Sequence, residues 1–415
     1  RDENTGTEEL PMRKPRISPE IKPTLNMAAV QASYWFACAF TPYSTVYLQR
    51  NGFGAPQIGI LNAACSVTAI FAMVAWGLVS DRINSIKKTL LLCTAGGAAT
   101  FALVPAFPPA LPGWTTLIFF YFPLSNVFRG CSAMLLDNLS IRLCARERIN
   151  YGPVRALGSF SFMVGSLLTV PLLTKLGVAA SFWLNGLTTV PALVFLARCS
   201  DPKVPEAERS EKKRKPDPRG LFRNSYYIAF LVFTVAIFIP YSAESAFLPY
   251  LMEDVGVSST QYGTLLAVRA TMEIPFLLFI RKLRRRFRLS RLIMLSGVFM
   301  AAECFAQSLF THGLGTLLVF GSIFELEYGI FLGTAPQYLL RLAPDHLKAT
   351  AQSLYASVSA VSGIVGNFAG GFLCQALRPR PFYLLLGALF LFAIGVFAAS
   401  FLFARGRYNP ADEKG

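Results

Sequence analysis

Polar and apolar positions in this chain alternate in blocks, not residue by residue. Long apolar runs are joined by short polar connections. A hydrocarbon core ~30 Å thick takes about 20 helical residues to cross. Twelve runs reach that length: 26–49, 56–80, 88–107, 114–141, 151–174, 178–198, 222–251, 260–281, 290–311, 314–341, 348–376 and 382–404. The longest connection, 199–220, is charged and Pro-rich, a composition that does not pack a core. It divides the chain into 26–198 and 221–404. The pattern therefore predicts an all-α membrane protein: twelve transmembrane helices in two pseudo-symmetric six-helix bundles. Residues 1–25 and 405–415 read as polar tails. The first contains no apolar core of the signal-peptide kind, and Met12 is a candidate native start, with residues 1–11 a possible addition.

Composition agrees with lipid as the solvent. Hydrophobic residues make up 53% and charged residues 15% of the 415, against about 25% charged in soluble proteins. A net charge of +16 would suggest nucleic acid in a soluble protein, but its placement argues otherwise. The even-numbered connections hold most of it, including nine Lys/Arg from Arg198 to Arg223 and seven from Arg281 to Arg291. The odd-numbered ones hold only Arg50, Lys175, Arg378 and Arg380. The positive-inside rule then puts both termini in the cytoplasm of a cell-membrane protein. The run 281–291 is a topology determinant under this reading, and no nucleic-acid partner is expected. The eight Cys are scattered without a C-x-x-C, and His312 and His346 fall in separate connections. Neither pattern makes a metal site, and no cofactor is expected.

The halves resemble each other. Y-L-Q-R-N-G-F-G-A-P-Q-I-G (47–59) and Y-L-M-E-D-V-G-V-S-S-T-Q-Y-G (250–263) each run from a helix end through a Gly turn to Q-x-G. Parallel six-helix repeats with a site between them are a transporter architecture.

Ionisable residues inside lipid are costly and mark functional sites. The candidates are Arg129, Asp137, Arg155, Glu244, Arg269, Glu273, Glu303, Glu325 and Glu327. Asp137 and Arg155 flank a basic turn (Arg142, Arg146, Arg148) and form either half of a substrate site or a structural ion pair. Arg129 is a further substrate candidate. Arg269 and Glu273 are four apart, so they neutralise each other on one helix face or meet substrate from the second half. Glu244 stands between Pro240 and Pro249, which free backbone groups and bend a helix; its candidate partners are Arg129 and Arg269. A carboxyl group kept from water favours its neutral form, as a reversible proton site requires. Glu327 is the first choice for it, then Glu325 and Glu244. Glu325 and Glu327 point about 200° apart on a helix, so one of them faces away from any cavity. Glu303 is assigned more weakly. Tyr43 and Tyr47 are one turn apart and placed along the cavity, while Trp35 is left unassigned.

Gly77-Leu-Val-Ser-Asp81-Arg82-Ile-Asn-Ser-Ile-Lys87-Lys88 resembles the loop motif of the major facilitator superfamily, with Asn84 where that motif has its second Gly. The resemblance implies that Gly77 permits close helix contact, and that Asp81 and Arg82 form a cytoplasmic closure. A second passage, Asp137 followed by Tyr151-Gly152-Pro-Val-Arg155-Ala-Leu-Gly158-Ser159, resembles the lactose permease, nucleoside and phenylpropionate symporters of that superfamily. That likeness implies a carboxylate and an Arg on substrate, with an aromatic, here Phe162, stacked on it. Those relatives also pair the helix-7 acid with a helix-11 Lys and place a His three residues before the helix-10 Glu. Here 349–375 contains no Lys, and Phe324 stands where the His would be.

The resulting expectation is a proton-coupled secondary transporter of a small polar solute (sugar, nucleoside or organic acid). It works by alternating access, spanning the bilayer as a monomer, with the proton as its coupling ion. No Walker A motif occurs, and no constellation suggests an enzyme. The alternatives are a drug or metabolite efflux antiporter, disfavoured by the missing Gly-Pro cluster in the fifth run, and a non-transporting receptor on the same scaffold.

Overall fold

A computed structural model describes residues 21–147, 149, 151–202, 218–323, 326–344 and 347–403. All the apolar runs are helical, and no strand occurs among the described residues. The expected tail ends earlier than residue 25, because α1 (Ile21–Cys38) already includes 21–25. The first run is two helices, α1 and α2 (Tyr43–Arg50). Pro42 has no N–H and disfavours helical backbone at Thr41. Thr41 Oγ1 instead donates to the Cys38 carbonyl at 2.8 Å.

Next come α3 (Ala55–Ile83) and α4 (Ile86–Ala102). The repeated Gln has a local task in the first half: Gln57 Oε1 accepts from the Gly54 N–H at 2.8 Å and closes the α3 N-terminus. In the second half Gln261 Oε1 takes the Thr264 hydroxyl at 3.1 Å. Asn84 ends α3 at φ 52, a left-handed position that Asn tolerates next best after Gly. That explains the motif's departure from Gly. Gly77 has open space where its Cβ would stand, so the close helix contact expected there is absent; Asp81 and Arg82 are exposed on the last turn of α3.

The fourth run is α5 (Trp114–Arg129) and α6 (Ser132–Arg146). They part at Gly130, where a Cβ would lie 2.6 Å from the Ala69 Cβ of α3. Arg142 and Arg146 belong to α6 rather than to a turn, and Arg148 lies outside the described residues. The first half closes with α7 (Tyr151–Leu176) and α8 (Ala180–Arg198).

Of the expected linker, 203–217 lie outside the described residues and Pro218–Arg223 form a 3₁₀ turn. The second half contains α9 (Ser225–Asp254), α10 (Tyr262–Arg286), α11 (Leu289–Phe310), α12 (Leu314–Ile323), α13 (Leu326–Leu342), α14 (Lys348–Leu377) and α15 (Pro379–Phe403). α9 stays one helix through Pro240 and Pro249. The basic run 281–291 is partly helical, since α10 continues to Arg286.

Nine helical stretches among the described residues are long and apolar enough to cross a membrane. The other three runs fall short for visible reasons. Two are split, at Pro42 and Gly130, and α10 carries Arg269, Glu273 and a basic end. Large apolar side chains such as Phe71 on α3, 72% exposed, point outward, where a soluble protein would present polar groups.

Helix pairing repeats along the chain. α1 packs on α7 and α8, as α9 packs on α14 and α15. α4 packs on α8 and α5, as α11 packs on α15 and α13. Between the halves, α3 lies on α14 and α7 on α10.

Candidate functional site

The contacts between halves gather at one end. An added Cβ on Gly59 would come 2.5 Å from the Asn367 carbonyl, and one on Gly263 would come 2.3 Å from that of Ser166. Backbone therefore meets backbone there. Tyr43, fully buried, accepts from the Gly263 N–H at 2.8 Å and donates to the Thr260 carbonyl at 2.9 Å. The Tyr250 hydroxyl donates to the Phe53 carbonyl at 2.9 Å. On the rim, Gln49 bonds Glu253 and Arg50 Nε donates to Ser259 Oγ at 3.0 Å. Tyr43 and Tyr47 therefore do not line the cavity as expected. Tyr43 is committed to this closure, and Tyr47 packs edge-on against Phe182 and Trp114.

Below the closure lies a cavity of about 410 Å³. It is lined by Asn62, Cys65, Ser66 and Ala69 of α3, Asn126 of α5, Tyr241, Ser242, Ser245 and Ala246 of α9, and Asn367 of α14. Asn126 Nδ2 donates to the Cys65 carbonyl at 2.6 Å. The Tyr241 ring stacks on Tyr328 with centroids 5.5 Å apart and planes 4° from parallel. The lining offers amides, hydroxyls and an aromatic edge, and no charge. None of the charged candidates is among these residues. These neutral amides and hydroxyls stand out less in an apolar run than a charge does; an intramembrane Asn is the signal that would have found them.

Asp137 and Arg155 come together at the end opposite the closure. α7 carries both ends of this relation: Arg155 lies near its start and Thr169, against Tyr43, about 21 Å further along. Arg155 Nε is 3.8 Å from Asp137 Oδ1, with the side chains 34% and 38% exposed. Such a half-exposed pair contributes little by itself. More specific bonds hold the geometry. The Tyr151 hydroxyl donates to Asp137 Oδ1 at 2.8 Å, and Arg155 Nη1 donates to Ser159 Oγ at 3.2 Å. The guanidinium lies 4.4 Å over the Trp35 ring. Trp35 Nε1 donates to Gln31 Oε1 at 2.9 Å, and Gln31 Nε2 to Ser140 Oγ at 2.8 Å. Gly158 makes room, since a Cβ there would be 2.5 Å from Trp35 Cδ1. Trp35 of α1 thus covers the Arg155 guanidinium, and Phe162, the residue expected to stack on substrate, is half-buried further along α7.

In the second half, Arg269 Nη2 is 2.9 Å from Glu244 Oε1 and 2.5 Å from Glu303 Oε1. Gln307 Nε2 donates to Glu303 Oε1 at 2.6 Å. Glu327 is buried on α13 and acts electrostatically on Cys304, as do Glu244, Glu303 and Arg269. Glu244 finds Arg269, one of its two expected partners. Glu303, weakly assigned from sequence, is 3% exposed and central. The Glu273 side chain and Glu325 lie outside the described residues. Arg129 occupies a separate pocket inside the first half.

Comparison with known proteins follows the same lines. The MFS_1 like family matches residues 33–385. The maltose permease of Geobacillus stearothermophilus is 27% identical over 359 residues, 85% of this chain and 86% of its own. An uncharacterized transporter of Bacillus subtilis (strain 168), YwbF, is 25% identical over 388 residues, covering 89% of this chain and 92% of its own. Among solved structures, a mutant of nucleoside transporter NupG superposes with a TM-score of 0.77 at 15% identity, over 92% of this chain and 99% of its own. The inward-open xylose transporter XylE from E. coli gives a TM-score of 0.66 at 13% identity, over 91% and 95%.

Proposed function

Since the chain belongs to the MFS_1 like family of major facilitator superfamily transporters, we propose that it carries a neutral, hydroxyl-rich solute of the sugar or nucleoside class in symport with protons. The observation behind the solute class is the central cavity. Asn62, Asn126, Asn367, Ser66, Ser242 and Ser245 supply donors and acceptors without charge, and Tyr241 supplies an aromatic edge. This is the chemistry that polyol hydroxyls and a pyranose or base face require. The maltose permease resemblance supports the same class, as does that to the sucrose permease of Escherichia coli, 22% identical over 273 residues.

Twelve spans form two six-helix bundles, 26–198 and 221–404, with both termini cytoplasmic by the charge asymmetry. The closed end is then extracellular, and the cavity opens to the cytoplasm. Asp137 and Arg155 stand at that mouth, where a solute meets them first on entering from the cytoplasm and last on leaving to it. The proton resides in the second-half cluster. Two buried carboxylates, Glu244 and Glu303, face one guanidinium and Glu327 is buried on the adjoining α13, so full ionisation of all three would leave excess negative charge in a medium that tolerates it poorly. Retaining a proton relieves this, and Glu327 is the assigned carrier.

The test is purified protein in liposomes, offered labelled maltose, sucrose, xylose and uridine, with and without an inward proton gradient. At least one solute should accumulate, and only with the gradient. Accumulation indifferent to the gradient removes the proton; uptake of none of the four removes the solute class. Glu327→Gln is expected to keep solute exchange across the membrane while losing gradient-driven accumulation. Loss of both together would place Glu327 in solute binding instead.

A further inference from the structure

Arg129 ends α5 inside the first half, away from the cavity between the halves. It projects into a pocket of about 160 Å³ enclosed by α1, α4, α5, α6 and α8. By liquid volume this holds about five waters. The pocket is built for the side chain: a Cβ on Gly97 would stand 2.7 Å from Arg129 Cγ, and the guanidinium lies 3.8 Å over the Phe101 ring. No Asp or Glu is among the lining residues. Among the described residues Arg129 makes no salt bridge and no hydrogen bond. A guanidinium stays charged at any physiological pH, and a charge at membrane depth normally has a partner. The α5 C-terminus, with its partial negative charge, meets only a fraction of that need.

A second observation points to a ligand. Thr94 is 6% exposed, lines the same pocket, and its Oγ1 has no hydrogen-bond partner. Other helical threonines of this chain donate to the carbonyl four residues back, as Thr89 and Thr189 do at 3.0 and 2.7 Å. Thr94 does not, so its hydroxyl is available to an acceptor in the cavity. A cation, a hydroxyl donor and no competing carboxylate form the complement of a small anion.

We propose that the Arg129 pocket binds a small monovalent anion: chloride, or the carboxylate of a short organic acid. The site goes beyond the neutral-solute reading. Asn126 lines both this pocket and the central cavity, so the anion occupies a chamber bordering the solute path and sets the charge of the first half.

The test uses the full chain in detergent or nanodiscs, with no transport readout. Thermal unfolding is titrated with sodium chloride, bromide or acetate at constant ionic strength, a bulky buffer sulfonate making up the balance. Saturable stabilisation by halide or acetate is expected, since a ligand bound only to the folded state raises Tm. Arg129→Gln should abolish the response, and Thr94→Val should weaken half-saturation by about tenfold, the scale of one hydrogen bond to a charge. If Arg129→Gln does not fold, Thr94→Val and the anomalous scattering of bromide in crystals decide. Stronger response to halide than to acetate identifies chloride; the reverse identifies the carboxylate of a short organic acid. Absence of any saturable response, bromide elsewhere in the molecule, or a Thr94→Val titration like that of the unaltered protein overturns the proposal and leaves a water-filled pocket. A failed sugar or nucleoside uptake would not alter these titrations.

Discussion

Trp35 supports one face of the Arg155 guanidinium while Ser159 takes Nη1. The plane of the fork is thus set before any solute arrives. Lysine retains the charge but has no plane to lie on the ring. Arg155→Lys is therefore expected to lose about 1–2 kcal/mol, a five- to thirtyfold rise in the apparent KM for uptake, measured in liposomes. An unchanged KM would remove Arg155 from the solute's path. The pairing of Asp137 with Arg155 was legible because two opposite charges in apolar runs have few partners. Trp35 was not, because one aromatic among six in the first apolar run carries no mark of its own. Its role depends on Gly158, which admits it from another helix. The Arg269 cluster was half legible: Glu244 had Arg269 among its expected partners, whereas Glu303 looked peripheral until three helices brought it to the same guanidinium. Removing that centre should be severe. Arg269→Gln leaves two buried carboxylates without their cation, expected to cost about 3–5 kcal/mol and measurable as lower Tm and yield.

At the scale of elements, apolar run length located every helix but not the breaks. Pro42 and Gly130 act through local backbone rules, yet neither residue shortens the apolar stretch that contains it. Contacts between helices were less legible still, because a glycine reads the same whether it meets lipid or a partner. Gly77 has open space beside it, while Gly263 meets the Ser166 carbonyl and Thr169 hydroxyl. A side chain at Gly263 cannot fit without parting α7 from α10. Gly263→Val should therefore hold the closed end ajar. In a cysteine-free background, a short bis-methanethiosulfonate reagent should link Arg50→Cys to Ser259→Cys readily, since the Arg50 side chain already spans that gap, with Nε 3.0 Å from Ser259 Oγ. Adding Gly263→Val should slow that cross-link several-fold. Equal cross-linking rates would mean that the α7–α10 approach does not set the closure.

For the whole molecule, the closure has two parts of unequal weight. The rim bonds, Gln49 to Glu253 and Arg50 to Ser259, are exposed, and each such surface contact is worth about 0–1 kcal/mol. The inner part is glycine-mediated backbone packing with Tyr43 bonded across it. Alternating access, as proposed, requires this end to open and reseal, and a modest rim over a well-fitted interior suits such a reversible seal. The Arg50→Cys/Ser259→Cys cross-link tests whether that opening is obligatory. Once formed, it should abolish uptake from the closed side; binding at the opposite mouth should persist, and reduction should restore uptake. Tryptophan quenching through Trp35, beside the Arg155 mouth, reads binding independently of transport. Uptake surviving the cross-link would mean that solute does not pass between α2 and the α9–α10 connection. Loss of binding along with uptake would mean that the cross-link distorts the cavity rather than sealing its far end.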